Sequence, residues 1–539
     1  MTNEVKTIQN PIIRGFNPDP DIIRVGDDFY IVNSTFEWFP GYQIHHSKDL
    51  QNWRLVSRPL DKVSMLDLKG IPDSGGVWAP GISYNHTTAL FYLPYTNVRT
   101  FDGPWKDTPN FLTTSTSMKG PWSEPMYLNS SGFDGDFFHD DDGTSWFINM
   151  IVDHRKGKFF GGIVIQQFCH EQHKLIGEPK NIFEGTDLGG TEGPHIYKRN
   201  GFYYLLTAEG GTEYGHAMTI CRSRDLLGPY ELHPDNPIIT SRNNPEARIQ
   251  KTGHGGFIEL QDGQWYTTFL CARPLTQRGR CITGRETGLE QIEWRDDWPY
   301  LAYDGKVARE FIPAPNLPEH KFDQNGYSTS VYTEFNGEEL DFNFQSLRIP
   351  MTSDWINQTD RAGFLRLYGR ESLSSTFEQS LIARRVQAHH ITAETCVEFS
   401  PNHFQQMAGL VCYYNTYHYH YIHITGSECG EKKIINVLSC DKLTTGMQSE
   451  PVEVTGADRL YLKVHFNGAE LQFYYATTKD KWLKIGSTLD GSELSDDYVR
   501  DSDSYYRPAF TGAFVGICCQ DFTGQKTPAD FAYFSYNEI

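Results

Sequence analysis

One pattern returns five times between residues 1 and 310 and leaves few folds open. Each copy is a short apolar run, a polar or glycine-bearing turn, and a second run led by aromatic residues. The turn-plus-aromatic elements occupy residues 26–32, 85–92, 141–148, 200–205 and 262–267. Turn signals between short aromatic and β-branched runs read as β-hairpins. With Tyr30, Phe91, Trp146, Tyr203 and Trp265 as markers, the spacings are 61, 55, 57 and 62 residues. A near-constant period of hairpin-bearing units is the signature of a β-propeller, with one four-stranded blade per unit. Residues 1–310 are therefore expected to form a five-bladed propeller.

The same register points to a site. Eleven residues before Tyr30 stands Asp19, and eleven before Phe91 stands Pro80, next to Trp78. Twelve before Trp146 stands Asp134; eleven before Tyr203 and Trp265 stand Glu192 and His254. These positions begin the first strand of each hairpin, and each lies beside Gly or Pro. Equivalent ends of the innermost strands of a propeller converge at one mouth of its central channel. Three carboxylates and one imidazole are thus expected in a common pocket. Turn chemistry explains any one polar residue beside Gly or Pro, but poorly explains four at matched offsets.

Beyond the repeat, residues 311–330 are rich in proline (Ile312-Pro313-Ala314-Pro315-Asn316-Leu317-Pro318) and read as a semi-rigid linker. Residues 331–539 keep alternating strand patterns without the period, as in 363–368, 409–414, 459–466 and 531–536. They are expected to form a β-sandwich of jelly-roll-like type, so the whole chain reads as all-β. The stretch Tyr417-His418-Tyr419-His420-Tyr421-Ile422-His423 resembles a metal site at first sight. His418 and His420 share a face while His423 faces the other way, and no further ligand stands at matching spacing. A polar and aromatic sheet face is the expectation there.

Charge narrows the partners. Sixty-eight acidic residues against 48 basic ones give a net charge of −20, which excludes nucleic acid and anionic membrane as natural partners. The ten cysteines form no CxxC pair, and neither a signal-peptide core nor a membrane-length apolar run is visible, so a cytoplasmic location is expected.

Separated carboxylates between aromatic walls suit hydrolysis of a glycosidic bond. One acid must be protonated, to give a proton to the leaving oxygen. A second must be ionised, to take a proton from water or to attack carbon. A third can hold the donor and raise its proton affinity by like-charge repulsion.

These residues carry a family resemblance that runs nearly end to end. It rests on Gly15-Phe16-Asn17-Pro18-Asp19-Pro20, Ser34-Thr35-Phe36-Glu37-Trp38-Phe39-Pro40-Gly41, Thr191-Glu192-Gly193-Pro194-His195 and Gly284-Arg285-Glu286-Thr287 in the propeller half. In the second half it rests on Gln405-Gln406-Met407-Ala408-Gly409-Leu410 and Phe510-Thr511-Gly512-Ala513-Phe514. The chain resembles the β-xylosidases of glycoside hydrolase family 43, in the subgroup with a C-terminal β-sandwich. That resemblance implies an inverting exo-glycosidase releasing xylose from the non-reducing ends of β-1,4-xylooligosaccharides. It makes Asp19 the general base, Glu192 the general acid and Asp134 the residue that tunes and orients Glu192. Phe36 and Trp78 would wall the sugar subsite, Arg285 would bind sugar hydroxyls near Asp19, and Phe510 would close the pocket from the sandwich. His254 would lie at the channel floor. No cofactor is required by the resemblance, although some relatives place calcium on the axis beside the equivalent His. A homo-oligomer, dimer or tetramer, is implied, acting on xylooligosaccharide or arabinoxylan fragments.

Three departures from the family pattern stand out: Gly81 where Asp is usual, Gly135-Asp136 where small residues are usual, and Val152 where relatives carry an aromatic. They bear on the leaving-group subsite. An α-L-arabinofuranosidase or a bifunctional enzyme, using the same acids, is the alternative within the enzyme class. A catalytically inactive carbohydrate-binding propeller is the alternative outside it.

Overall fold

A computed structural model describes residues 6–101, 105–155, 159–322, 329–337, 339–428, 430–442, 444–500 and 508–539. Residues 1–5 of the N-terminal stretch and 323–328 of the expected linker lie outside them. The fold is all-β. Helix among the described residues is confined to the turn Gly491–Glu493 and the five-residue Asp496–Arg500.

Five small antiparallel sheets make the propeller, one per sequence unit. In each, the turn seen in the sequence closes a hairpin whose first strand is innermost. Val25 pairs Asp28, Asn85 pairs Leu90, and His139 pairs Ser145. Arg199 pairs Phe202, and Glu259 pairs Trp265. Every marker aromatic therefore sits at or near the start of the second strand of its blade. The apolar rows between sheets fill wedge-shaped cores, such as Leu205, Ile163, Ile148 and Phe133 between blades three and four. Outside the ring, Thr7–Gln9 pairs with Phe311–Pro313, so the start of the proline-rich segment is stitched to the N-terminus.

The second half packs two large sheets face to face around a core that includes Trp355, Val397, Leu410, Ile422 and Phe531. The histidine stretch lies inside one of these sheets. His418, His420 and His423 are all buried, with His418 beside Asn415 and His420 on the Ser439 hydroxyl. Burial on both faces, rather than one polar face, is the observed outcome.

The two halves share a sheet. Trp38–Phe39, between the second and third strands of blade one, pairs with Leu347 and Ser346 at the edge of the nine-stranded sandwich sheet. The Trp38 ring stacks on Phe514 at 3.7 Å between centroids. Phe16, Phe36 and Trp38 from the propeller belong to one apolar cluster with Leu381, Val411 and Tyr413 from the sandwich. An apolar interface of this kind fixes domain orientation, whereas polar interfaces leave domains free to swing.

Candidate active site

The strand starts hold their side chains by departing from regular backbone. Asp19, Asp134 and His254 have φ of 52°, 55° and 40°, and Gly193, next to Glu192, has 57°. Positive φ is uncommon for residues with a β-carbon, and its recurrence at three of the matched positions marks backbone held by its surroundings. The ladder slips at the same places, between Phe133 and Asp136 and between Glu192 and His195. Such bulges bend a strand end and re-aim its side chains. Gly193 is required by space as well: a β-carbon there would stand 2.7 Å from His254 Nε2.

Together these ends enclose a cavity of about 380 Å³, counting its open mouth, lined by Asp19, Asp134, Glu192, Phe36, Trp78, His254, Arg285 and Phe510. All eight residues singled out in the sequence are therefore brought together. Blade two adds Trp78 and Ala79 rather than a titratable group at the matched Pro80.

Asp19 is the most heavily engaged acid. Its Oδ2 accepts a hydrogen bond from the Ser34 hydroxyl at 2.7 Å, and its Oδ1 accepts one from Arg285 Nη1 at 3.3 Å. Arg285 also donates to Thr212 Oγ1 and to the Phe510 carbonyl, both at 2.8 Å. Its guanidinium lies 5.4 Å from the ring centroids of both Phe36 and Phe510. Asp134 Oδ2 accepts from the Gly193 amide at 3.1 Å, which ties blade three to the residue after Glu192.

Burial and the nearby charge of Asp19 push Glu192 up to about 8, against an opposing pull from Arg285. Burial, with the charges of Glu192 and Asp19, pushes Asp134 well above the usual carboxylate range. His254, with Nδ1 3.9 Å from Asp19 Oδ1, is lowered to about 3 by burial and by the charges of His195 and Arg285. It is a neutral imidazole at physiological pH.

The sandwich completes the wall. Phe510 donates its amide to Ser74 Oγ at 3.0 Å and packs on Phe36 and Trp78 at 5.9 and 5.5 Å. The short helix Asp496–Arg500 docks behind Arg285, with Asp496 Oδ2 3.9 Å from its Nε. Asp497 reaches Lys251 Nζ at 2.6 Å and the Cys281 amide at 2.9 Å. Ser34, Phe133, Thr212, His216 and Asp496 were not singled out from sequence. Ser34 opens one of the family motifs and Phe133 precedes Asp134, but nothing in their spacing marks them. Asp496 depends wholly on how the halves dock.

The extra charge at Asp136 does not enter this cavity. Asp136 Oδ2 pairs with His195 Nδ1 at 2.9 Å, deeper along the axis, where Asp21 Oδ1 lies 3.8 Å from the same nitrogen. Gly81 explains the position: a β-carbon there would stand 2.6 Å from Asp136 Oδ1. The two departures thus form a pair, one side chain occupying the space left by the other.

A pocket that sets a proton-bearing carboxyl beside an arginine-held carboxylate between aromatic walls is that of a glycoside hydrolase. Comparison with known proteins gives the family. Residues 8–299 match the model for glycosyl hydrolases family 43, and residues 332–537 match that for the beta xylosidase C-terminal concanavalin A-like domain. The chain is 48% identical to a "Beta-xylosidase" of Bacillus subtilis (strain 168), over 98% of this chain and 99% of the relative. It is 46% identical to "Xylosidase/arabinosidase 43B" of Humicola insolens, over 99% and 98%. The crystal structure of xylan beta-1,4-xylosidase from Bacillus halodurans C-125 superposes with a TM-score of 0.94 at 45% identity, over 98% of this chain and all of that one. This chain belongs to glycoside hydrolase family 43.

Proposed function

We propose that this protein is an inverting exo-β-xylosidase that removes xylose from the non-reducing ends of β-1,4-xylooligosaccharides. The observation that supports it best is the meeting of Asp19, Asp134 and Glu192, from three separate strand starts, in one cavity walled by Phe36, Trp78 and Phe510. In this reading Glu192 is the general acid. Its raised pKa keeps it protonated near neutral pH, ready to protonate the bridging oxygen as the bond breaks. Asp19 is the general base. It takes a proton from water as that water attacks the anomeric carbon from the face opposite the leaving group. Asp134 is assigned to orientation, since its carboxylate holds the amide next to Glu192. Burial and the charge of Asp19 raise the proton affinity of Glu192, and the mutual repulsion between Glu192 and Asp134 raises that of the pair. Arg285, carried on blade five and anchored by Thr212 and Phe510, is assigned to the sugar hydroxyls. A pocket closed by the sandwich admits only a chain end, which accounts for exo action.

α-L-Arabinofuranosidase activity is the second reading, favoured by the relative named xylosidase/arabinosidase at 46% identity. Hydrolysis of 4-nitrophenyl β-D-xylopyranoside and α-L-arabinofuranoside by the purified protein decides between them through kcat/KM. Proton NMR of xylobiose hydrolysis should show α-xylose appearing first. Release of β-xylose would contradict inversion. Binding of xylobiose without turnover would make the protein a lectin-like propeller instead.

Calcium on the axis fits poorly. That ion takes six to eight oxygen ligands. Beside His254 stands one carboxylate, Asp19, already engaged by Ser34 and Arg285. Among the described residues the one group within mutual ligating reach is Asp21, Asp136 and His195, whose carboxylates are held by the Ile22 and Ile82 amides and by the imidazole. A reducing, cytoplasmic setting is proposed on the nine described cysteines, all free. A homo-oligomer is proposed on family resemblance and is checked by light scattering.

A further inference from the structure

Arg285 commits Nη1 to Asp19 and Thr212, and Nη2 to the Phe510 carbonyl. Its third nitrogen, Nε, is buried and has no hydrogen-bond partner among the described residues. The carboxylate that faces it is Asp496, whose Oδ2 stands 3.9 Å away. At that distance the two form an ion pair rather than a hydrogen bond. Asp496 is buried and does not line the cavity. It comes from the sandwich, as the first residue of the helix Asp496–Arg500. Tyr414, on a strand of the nine-stranded sheet, donates its hydroxyl to Asp496 Oδ1 at 2.5 Å. One carboxylate oxygen is therefore tied to the sandwich while the other faces Arg285.

The rest of the helix fixes its own place on the propeller. Asp497 holds blade five twice, through Lys251 Nζ and the Cys281 amide. Lys251 is itself buried, on backbone with φ of 56°. Arg500 pairs with Glu213, the neighbour of Thr212, and donates to the Ala509 carbonyl, with its guanidinium 4.6 Å from the Phe510 ring. Three of the four partners of Arg285 are thus governed by this one helix: Asp496 directly, Thr212 through Glu213, and Phe510 through Arg500.

We propose, on the glycosidase reading above, that Asp496 is a positioning residue for the reaction: it holds the guanidinium of Arg285 at the tilt at which Nη1 and Nη2 meet the hydroxyls of the terminal sugar. A guanidinium is a rigid planar fork, so a tilt at Nε swings both Nη atoms together. Asp19, Thr212 and Phe510 hold the tips of the fork, and Asp496 is the anion behind its base. That anion is in place only when the sandwich is docked, so recognition of the sugar is tied to the docking of the two halves. By linkage, bound sugar must in turn favour the docked helix. Asp496 faces Arg285 and Lys251 from blade five, Tyr414 from the sandwich sheet and Asp497 from its own helix, and burial outweighs the two cations and raises it to about 7. Above that pH it is a carboxylate, and below it a neutral acid with no charge to set against Nε.

Asp496→Asn keeps the shape of the side chain and removes its charge. Near pH 8 it should raise KM for xylobiose and for 4-nitrophenyl β-D-xylopyranoside by a common factor of about tenfold, with kcat changed less, a modest share of the roughly 10²-fold that a small displacement can cost. The factor is common because Arg285 acts on the sugar that both substrates share. The defect should nearly vanish at about pH 5.5, where the wild-type carboxyl is itself neutral. An equal defect at both pH values, or one that differs between the substrates, would make Asp496 a structural residue and overturn the proposal. Tyr414→Phe, which frees the carboxylate to turn without deleting it, should raise KM in the same direction by about threefold, the scale of one hydrogen bond, and serves if the asparagine variant does not fold. In the wild-type protein, hydrogen–deuterium exchange of the amides of residues 496–500 should slow in saturating xylose. Unchanged exchange with xylose bound would overturn the link between sugar and helix while leaving the glycosidase reading intact. A wild-type protein that neither hydrolyses xylobiose nor binds xylose would overturn both.

Discussion

Two charged clusters lie along the propeller axis, offset by two or three residues on the same strands, and they place their protons differently. The outer one holds Asp19, Asp134 and Glu192 with the guanidinium of Arg285 beside Asp19. The inner one holds Asp21 and Asp136 around His195. In the outer cluster Arg285 serves Asp19 directly, and burial and the charge of Asp19 push Glu192 up to about 8, so that it stays a carboxylic acid near neutral pH. In the inner cluster the cation is itself titratable. Burial would lower His195, but the charges of Asp21 and Asp136 outweigh it and push it up to about 9. The inner cluster thus carries a proton on the imidazole between two carboxylates, while burial and the charge of Asp136 raise Asp21 to about 7. The two clusters differ in their cation, a titratable imidazole inside and a guanidinium outside. A permanently charged guanidinium takes no proton, so a carboxyl must keep one.

The comparison can be broken most severely at Glu192. Glu192→Ala should lower kcat on xylobiose about 10³-fold, within the range for loss of a general acid. Substrates with activated aryl leaving groups should lose far less, because they need little protonation. Equal losses on both would remove Glu192 from that role. Next comes Arg285→Met, which takes the cation from the outer cluster. The loss of sugar contacts should lower kcat/KM about 10²-fold, as for other charged groups left without a partner in a binding site. Arg285 holds the Glu192 pKa down, so its removal should also move the alkaline limb of the pH profile upward. In the wild type, kcat/KM for xylobiose should fall as pH rises through about 8, where Glu192 gives up its proton. A profile flat to pH 10 would contradict the acid assignment.

The inner cluster should respond in stability instead. Asp136→Asn leaves a hydrogen-bond acceptor but removes one charge facing His195, and should cost about 1–3 kcal/mol in urea denaturation. The sign with pH follows from the raised pKa. Stabilisation by protonated His195 is fully present below the ordinary 6.5 and is lost as pH rises through about 9. The wild type should therefore lose stability across that window, and Asp136→Asn should lose less. An unchanged slope would mean that His195 is not the titrating group.

The propeller and the placing of its acids were legible because both follow from period. A blade repeats every 55–62 residues here, so matched offsets translate into matched positions around a ring. Trp78 was reached through the register of Pro80, whereas Phe36, Arg285 and Phe510 came from resemblance, since no spacing argument reaches an arginine on the last blade or a phenylalanine in another domain. Asp496 and Ser34 escaped because their relevance is created by packing: one is brought by the sandwich, the other by a hydrogen bond across fifteen residues. Asp136 was seen as a charge beside the pocket. Its true direction depends on the strand bulge after Asp134, which turns the two carboxylates toward different ends of the axis, and on the space left by Gly81.

The pairing of Trp38–Phe39 with residues 346 and 347 also sets an order of events in synthesis. Ribosomes deliver a chain from its N-terminus, and domains generally fold as they emerge. Here blade one holds out a strand whose partner is translated some three hundred residues later, and the pocket wall waits longer still, for Phe510. A nascent propeller would carry its acids in place but leave the apolar face of Phe16, Phe36 and Trp38 uncovered. The pocket wall is thus completed only when nearly the whole polypeptide exists, and a truncated product would be sticky.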